Sequence, residues 1–163
     1  MRTSAFLALM LLFLTGCAPI FSDQSLRLVD RGMSFSELRK KPDQCMDRYL
    51  LLGGAVAAVE NTNEGGELEV VQFGTDEDGR IIDTSNSGGR FLARSPDLLD
   101  PAVYQPGFLV VLVGKCAGSK TMRLGDMDYT YPVLDIKEVH IQEPEVTAPP
   151  VFHFGVGVGT IIH

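Results

Sequence analysis

Two adjacent glycines, Gly53 and Gly54, split the apolar segment YLLLGGAVAAVE that runs from Tyr49 to Glu60. Glycine carries a conformational cost inside a regular strand, and a pair of them there marks a bulge or a sharp bend. A strand that bends in its middle can leave one sheet direction and join another, which is how a small sheet curls on itself. The segments that follow are strand-length and separated by turn chemistry, with no alternation of strand and long helix that would signal a parallel α/β fold.

Along the chain, NTNEGG (Asn61–Gly66) is a turn, ELEVVQFG (Glu67–Gly74) a second strand, and TDEDGR another turn. RIID (Arg80–Asp83) reads as a short extra strand or a loop. A third strand, Gly88–Arg94, places Phe91 and Ala93 on one face and Arg90, Leu92 and Arg94 on the other. Prolines 96, 101 and 106 exclude both a long helix and a central strand, leaving a loop with at most one helical turn after Asp100. FLVVLVGKC (Phe108–Cys116) is continuously apolar at its start, as in a strand covered on both faces. In the fifth strand, Pro132–Glu143, Leu134 and Ile136 share one phase and Val139 and Ile141 the other, which predicts a bulge between Ile136 and Val139. Ser34 and Glu37 have capping-box spacing before Leu38, and Pro42 closes that short helix. The expected fold is mainly β, a small, partly open five-stranded barrel of the OB type with one short N-terminal helix; a β-sandwich is the alternative.

Ahead of this domain, one charge at Arg2 precedes an apolar run from Ala5 to Leu14. About 20 apolar residues are needed to span a bilayer, so the run is a signal-peptide core and not a good anchor. Leu14, Thr15 and Gly16 stand directly before Cys17, an arrangement called a lipobox that resembles the substrate of bacterial lipoprotein processing. Its chemistry joins a diacylglycerol to the Cys17 thiol as a thioether, cleaves the chain before that residue, and commonly acylates the new amine. Two or three acyl chains hold a protein stably on a membrane. Ala18, in place of an aspartate, points to the periplasmic face of the outer membrane. The chain then divides into a cleaved signal at 1–16, a tether at 17–32, the barrel domain at 33–143 and a Pro/Gly-rich tail at 144–163.

Removing residues 1–16 from the 163 leaves 147, enough for one domain. That removes Arg2 and no acid, so 13 basic residues face 21 acidic ones, a net charge of −8. Such a balance opposes nucleic-acid binding, which depends on neutralising phosphates, and electrostatic attachment to anionic lipid. With Cys17 assigned to lipid, Cys45 and Cys116 form the leading disulfide pair in an oxidising compartment, with two buried thiols as the other reading. A bridge closing this loop is worth about 2–5 kcal/mol.

No motif carries an enzyme activity, and neither a cofactor nor a metal is expected. GKCAGSKT (Gly114–Thr121) has Ser119 where a phosphate-binding loop needs glycine and leads into no helix. DEDG (Asp76–Gly79) lacks the calcium-loop spacing and reads as a solvated turn. His140, His153 and His163 form no close ligand pair and stand in no relation to a nucleophile. In an OB fold the loop between the fourth and fifth strands borders the usual ligand face. Here that is about Ala117–Tyr131, making Met122, Arg123, Met127, Tyr129 and Tyr131 the candidate contacts. The tail alternates Phe152, Phe154, Val156 and Val158 with His153 and glycines, a strand pattern able to pack on the domain, enter lipid or pair with another chain.

Several pieces together resemble the Slp family of outer-membrane lipoproteins. They are Gly89-Arg90-Phe91 opening a strand, Leu99-Asp100-Pro101 with Tyr104, Gly107 and Gly114 around the apolar strand, and Tyr131-Pro132 before the last one. SFSELRKKPDQ followed by LLLGGAVAAV is similar to that family's opening helix and first strand. The resemblance covers about Ser34–Glu143 and the lipobox. It implies a lipid-anchored OB-like barrel facing the periplasm, a structural or binding module of the cell envelope without established enzymatic activity, with some members linked to starvation or stationary phase. Cys45, Cys116 and a short tail depart from the family pattern. The rival readings are a hydrolase of envelope polymers and an assembly subunit that uses the C-terminal strand.

Overall fold

The computed structural model describes residues 19–142. Two short helices, α1 (Asp23–Leu26) and α2 (Phe35–Lys40), and a 3-10 turn (Pro42–Cys45) precede six strands. These are β1 (Tyr49–Thr62), β2 (Gly65–Thr75), β3 (Ile81–Asp83), β4 (Gly89–Ser95), β5 (Leu109–Leu124) and β6 (Met127–Gln142).

Five strands close a ring. β1 pairs with β5 through Tyr49–Ala55 and with β2 through Gly53–Thr62, so its first half belongs to one side of the barrel and its second half to the other. The changeover falls on Gly53 and Gly54. A Cβ on Gly54 would collide with the carbonyl oxygen of Val71, so only glycine lets the two backbones meet there. From β2 the ring passes to β4 and then, by a parallel contact of three residue pairs from Leu92↔Val133 to Arg94↔Asp135, to β6. β6 returns antiparallel to β5. The order β1-β2-β4-β6-β5-β1, with its short parallel seam, is that of a partly open OB barrel and not of two stacked sheets. β3 is an appendage on β2, so Ile81–Asp83 is a strand.

The interior is built by alternate residues. Leu68, Val70, Phe91, Ala93, Val110, Leu112 and Leu134 are fully buried in the main core, which α2 closes with Phe35 and Leu38. The rings of Phe35 and Phe91 meet edge to face at 6.0 Å. The α2 capping box is formed as expected: Glu37 N donates to Ser34 Oγ, and Ser34 N donates to Glu37 Oε2 at 2.9 Å. Those bonds from Ser34 hold the Glu37 carboxyl below its ordinary range. The expected bulge in the last strand is present, since Val113 pairs with Glu138 and Gly114 with Ile136, leaving Lys137 unmatched.

β5 is covered on both faces. Val110 and Leu112 point into the barrel, while Val111 and Val113 lie under Phe21, which is 1% exposed. Residues 21–29, expected as part of a membrane tether, therefore rest on the barrel's outer surface. The stretch read as a long loop, 117–131, instead continues β5 and β6 as a hairpin with Gly125 and Asp126 at its turn. Gly125 at φ 60° takes the first turn position, where a type II′ hairpin needs glycine. The near-miss phosphate loop, Gly114–Thr121, lies inside β5 and opens no helix.

Candidate functional site

The segment after the lipobox is fixed by a small polar clamp. Ser22 N and Oγ donate to Glu138 in β6, the hydroxyl at 2.7 Å. Ser22 Oγ also caps α1 by accepting from Ser25 N. On the same carboxylate, His140 Nε2 lies 2.9 Å from Glu138 Oε1, and the His140 ring stands edge-on to Phe21 at 5.1 Å. Burial alone would raise the Glu138 pKa, but hydrogen bonds from Ser25, His140 and Ser22 outweigh it and bring it down to about 2. His140, weighed above as a metal ligand, is thus engaged in the clamp. His153 and His163, the alternating tail and Cys17 lie outside the described residues.

The candidate ligand-face residues divide. Tyr131 is 1% exposed, and its hydroxyl donates to Glu69 Oε1 at 3.0 Å; the same oxygen takes a 2.6 Å bond from Arg90 Nη1. Burial first, then Glu69, pushes the Tyr131 phenol up to about 12. Tyr129 packs against it with ring centroids 4.7 Å apart, and its hydroxyl accepts from Arg90 N at 2.9 Å. Met122 joins this cluster with Leu92 and Val133. Arg123 and Met127 are exposed at the hairpin tip, where Arg123 lies 3.6 Å from Asp128. The structure thus gathers Met122, Tyr129 and Tyr131 into a packing unit that braces the hairpin on β4, and leaves two of the five residues facing solvent.

Cys45 and Cys116 are brought together as buried thiols, not as a formed disulfide. Cys45 Sγ donates to Lys41 O at 3.4 Å and Cys116 Sγ to Pro42 O at 3.6 Å. Burial, reinforced by the neighbouring Cys116, pushes the Cys45 thiol up to about 11, and burial raises Cys116 as well. The acidic turn at Asp76 is self-satisfied: Asp76 Oδ1 accepts from Asp78 N and Arg80 N. Among the described residues no cluster of three potential metal ligands occurs, and no helix is long and apolar enough to cross a membrane.

Sequence reasoning missed the clamp. Ser22 before Asp23 is a readable N-cap signal, but nothing local connects it to Glu138, 116 positions away.

Residues 14–153 match the model of the outer membrane lipoprotein Slp family. The chain belongs to that family. The match includes the whole described barrel and begins three residues before Cys17. A search of the curated proteins finds no match. Among solved structures, the mitochondrial single-stranded DNA binding protein Rim1 of S. cerevisiae is similar at 10% identity and a TM-score of 0.36, covering 57% of this chain and 92% of its own. A small single-stranded DNA-binding protein of Streptomyces coelicolor is similar at 15% identity and the same TM-score of 0.36, covering 59% and 94%. The assignment to an Slp barrel rests on the family match and the strand order, not on these neighbours.

Proposed function

We propose that this Slp-family chain is acylated at Cys17 after loss of residues 1–16 and is held on the periplasmic face of the outer membrane. There the barrel serves as a non-enzymatic structural or binding module of the envelope. The observation that carries this reading is the reach of the family match, which starts at Leu14 and so takes in the Leu14-Thr15-Gly16-Cys17 processing site together with the barrel. Two of the three groups shifted furthest from their ordinary pKa values hold elements together, Glu138 by binding the N-terminal segment and Tyr131 by binding Glu69, and the third, Cys45, is a buried thiol beside Cys116. That use supports a scaffold over a catalyst. The net charge of −8 makes nucleic acid an unfavourable partner. The link of some family members to starvation or stationary phase is extended to this chain under the same proposal.

In the oxidising envelope, Cys45 and Cys116 form a disulfide. Each thiol loses its hydrogen, and the two electrons pass to the disulfide of a thiol oxidoreductase, which leaves as a dithiol. The juxtaposition of the two buried thiols supports this pairing.

Fractionation of cells expressing the chain with its own signal tests the anchor and its orientation. The protein should be in outer-membrane fractions, resist added trypsin in intact cells and become cleavable once the outer membrane is permeabilised. Cys17→Ser should release it from the membrane fraction. Outer-membrane retention of that variant, or cleavage in intact cells, would contradict the reading.

A further inference from the structure

We infer that the end of the barrel beside the anchor rests on the lipid surface, and that an uncharged groove at the C-terminal end of β6 makes the contact. The inference depends on the acylation of Cys17 proposed above. Few residues separate Cys17 from the first residue buried on the barrel. Phe21 is buried against Val111 and Val113, and its Ser22 neighbour is tied to Glu138. Four Cα steps from Cys17 to Phe21 span at most ~14 Å, so acylation at Cys17 keeps this side of the barrel at the membrane interface.

The groove connects to the Phe21 cluster through Ile81. Ile81 packs against the cluster of Phe21, Val111 and Val113, Ile81 N donates to Gln142 Oε1 at 2.9 Å, and Gln142 lines the groove. The space is about 850 Å3 and is formed chiefly by Ala55, Phe73, Val103, Phe108, Leu109 and Ile141. Val103 and Phe108 are 44% and 43% exposed, large apolar side chains that a water-facing surface leaves unsatisfied. None of the residues lining it is charged, in a chain of which 21% is charged. A chain of negative net charge gains nothing from anionic headgroups, so adhesion here depends on apolar burial, which this surface supplies.

The chain has no tryptophan, so Phe108→Trp and, on an independent side chain of the same groove, Val103→Trp each give a single reporter. Met127→Trp serves as the distant one, because Met127 and Gln142 are the opposite ends of β6. The proteins are made with their own signal, checked by intact mass for acylation and reconstituted into phosphatidylethanolamine/phosphatidylglycerol vesicles with ordinary or brominated acyl chains. Brominated lipid should reduce emission from Trp at 108 or 103 about two-fold or more, and leave Trp at 127 unchanged, as expected for a side chain at the acyl boundary. Acylated protein whose groove reporters are insensitive to bromine, or whose three reporters are quenched alike, overturns the proposal alone. An unacylated mass removes its premise and overturns both readings. Groove emission already blue-shifted in Cys17→Ser protein free of lipid, and red-shifted on deletion of 143–163, assigns the groove to the tail and overturns the lipid contact.

Discussion

Ser22 Oγ donates a 2.7 Å hydrogen bond to Glu138 Oε2, joining the segment that follows the lipobox to the last strand of the barrel. The Glu138 carboxyl is held at about 2, below its ordinary 4.5, because Ser25, His140 and Ser22 outweigh the effect of burial. A depressed folded-state pKa contributes stability in full above the unfolded value and loses it as pH falls through the folded one. Docking of residues 21–29 should therefore weaken between about pH 4.5 and pH 2. Protection of the amides of 22–29, taken relative to their intrinsic exchange at each pH, should fall over that window in the native chain, and Glu138→Gln should flatten the response.

Tyr131→Phe removes a buried hydroxyl while leaving Glu69 its bond to Arg90. Because the carboxylate keeps a partner, the cost should be about 1 kcal/mol, an ordinary hydrogen-bond loss and not that of an orphaned charge. Urea unfolding with an unchanged slope and a lower midpoint would report it.

Asn61 makes a two-sided contact with the loop after β4. Its Oδ1 accepts from Leu99 N at 2.9 Å and its Nδ2 donates to Leu99 O at 2.7 Å, seating Leu99 in the core. Asn61→Ala leaves both backbone groups without their partner and should cost about 1–3 kcal/mol. Asn61→Asp keeps the acceptor alone and should lose part of that amount; thermal unfolding of the three proteins separates them.

Chain extracted from the envelope should take up no alkylating reagent at Cys45 or Cys116 in denaturant until it is reduced, and then two equivalents. Uptake without reduction would show that the pair stays as thiols. In the reduced folded protein both thiols are raised by burial, so labelling should wait on opening of the 3-10 turn.

The barrel was legible because its determinants are local. The Gly53-Gly54 bend, the Ser34–Glu37 capping box, the apolar run of β5 and the phase change after Ile136 each dictate a backbone event within a few residues. The prolines around Asp100 likewise limited that loop to one turn, which forms with Tyr104 N donating to Asp100 O at 2.9 Å. The β5–β6 hairpin replaces the loop expected there, and its pattern is in the sequence: Met122 and Leu124 alternate up to Gly125-Asp126, and Met127 and Tyr129 alternate after it. That two-residue period around a glycine-first turn was the available signal. The candidate contacts fared differently because exposure is a tertiary property: Tyr131 looks like a loop aromatic in sequence, and only the proximity of Glu69 and Arg90 makes it a buried strut. The Ser22–Glu138 clamp and the groove beside Gln142 arise from the same long-range closure.

The intact mass of the chain tests the membrane anchor most directly. The protein is expressed with its own signal in a Gram-negative host, extracted in detergent and weighed before and after reduction. A chain that begins at Cys17, carries diacylglycerol with or without a third acyl group, and gains two hydrogens on reduction is the predicted result. An unacylated chain, or one that begins elsewhere, would contradict the membrane anchor and the orientation built on it.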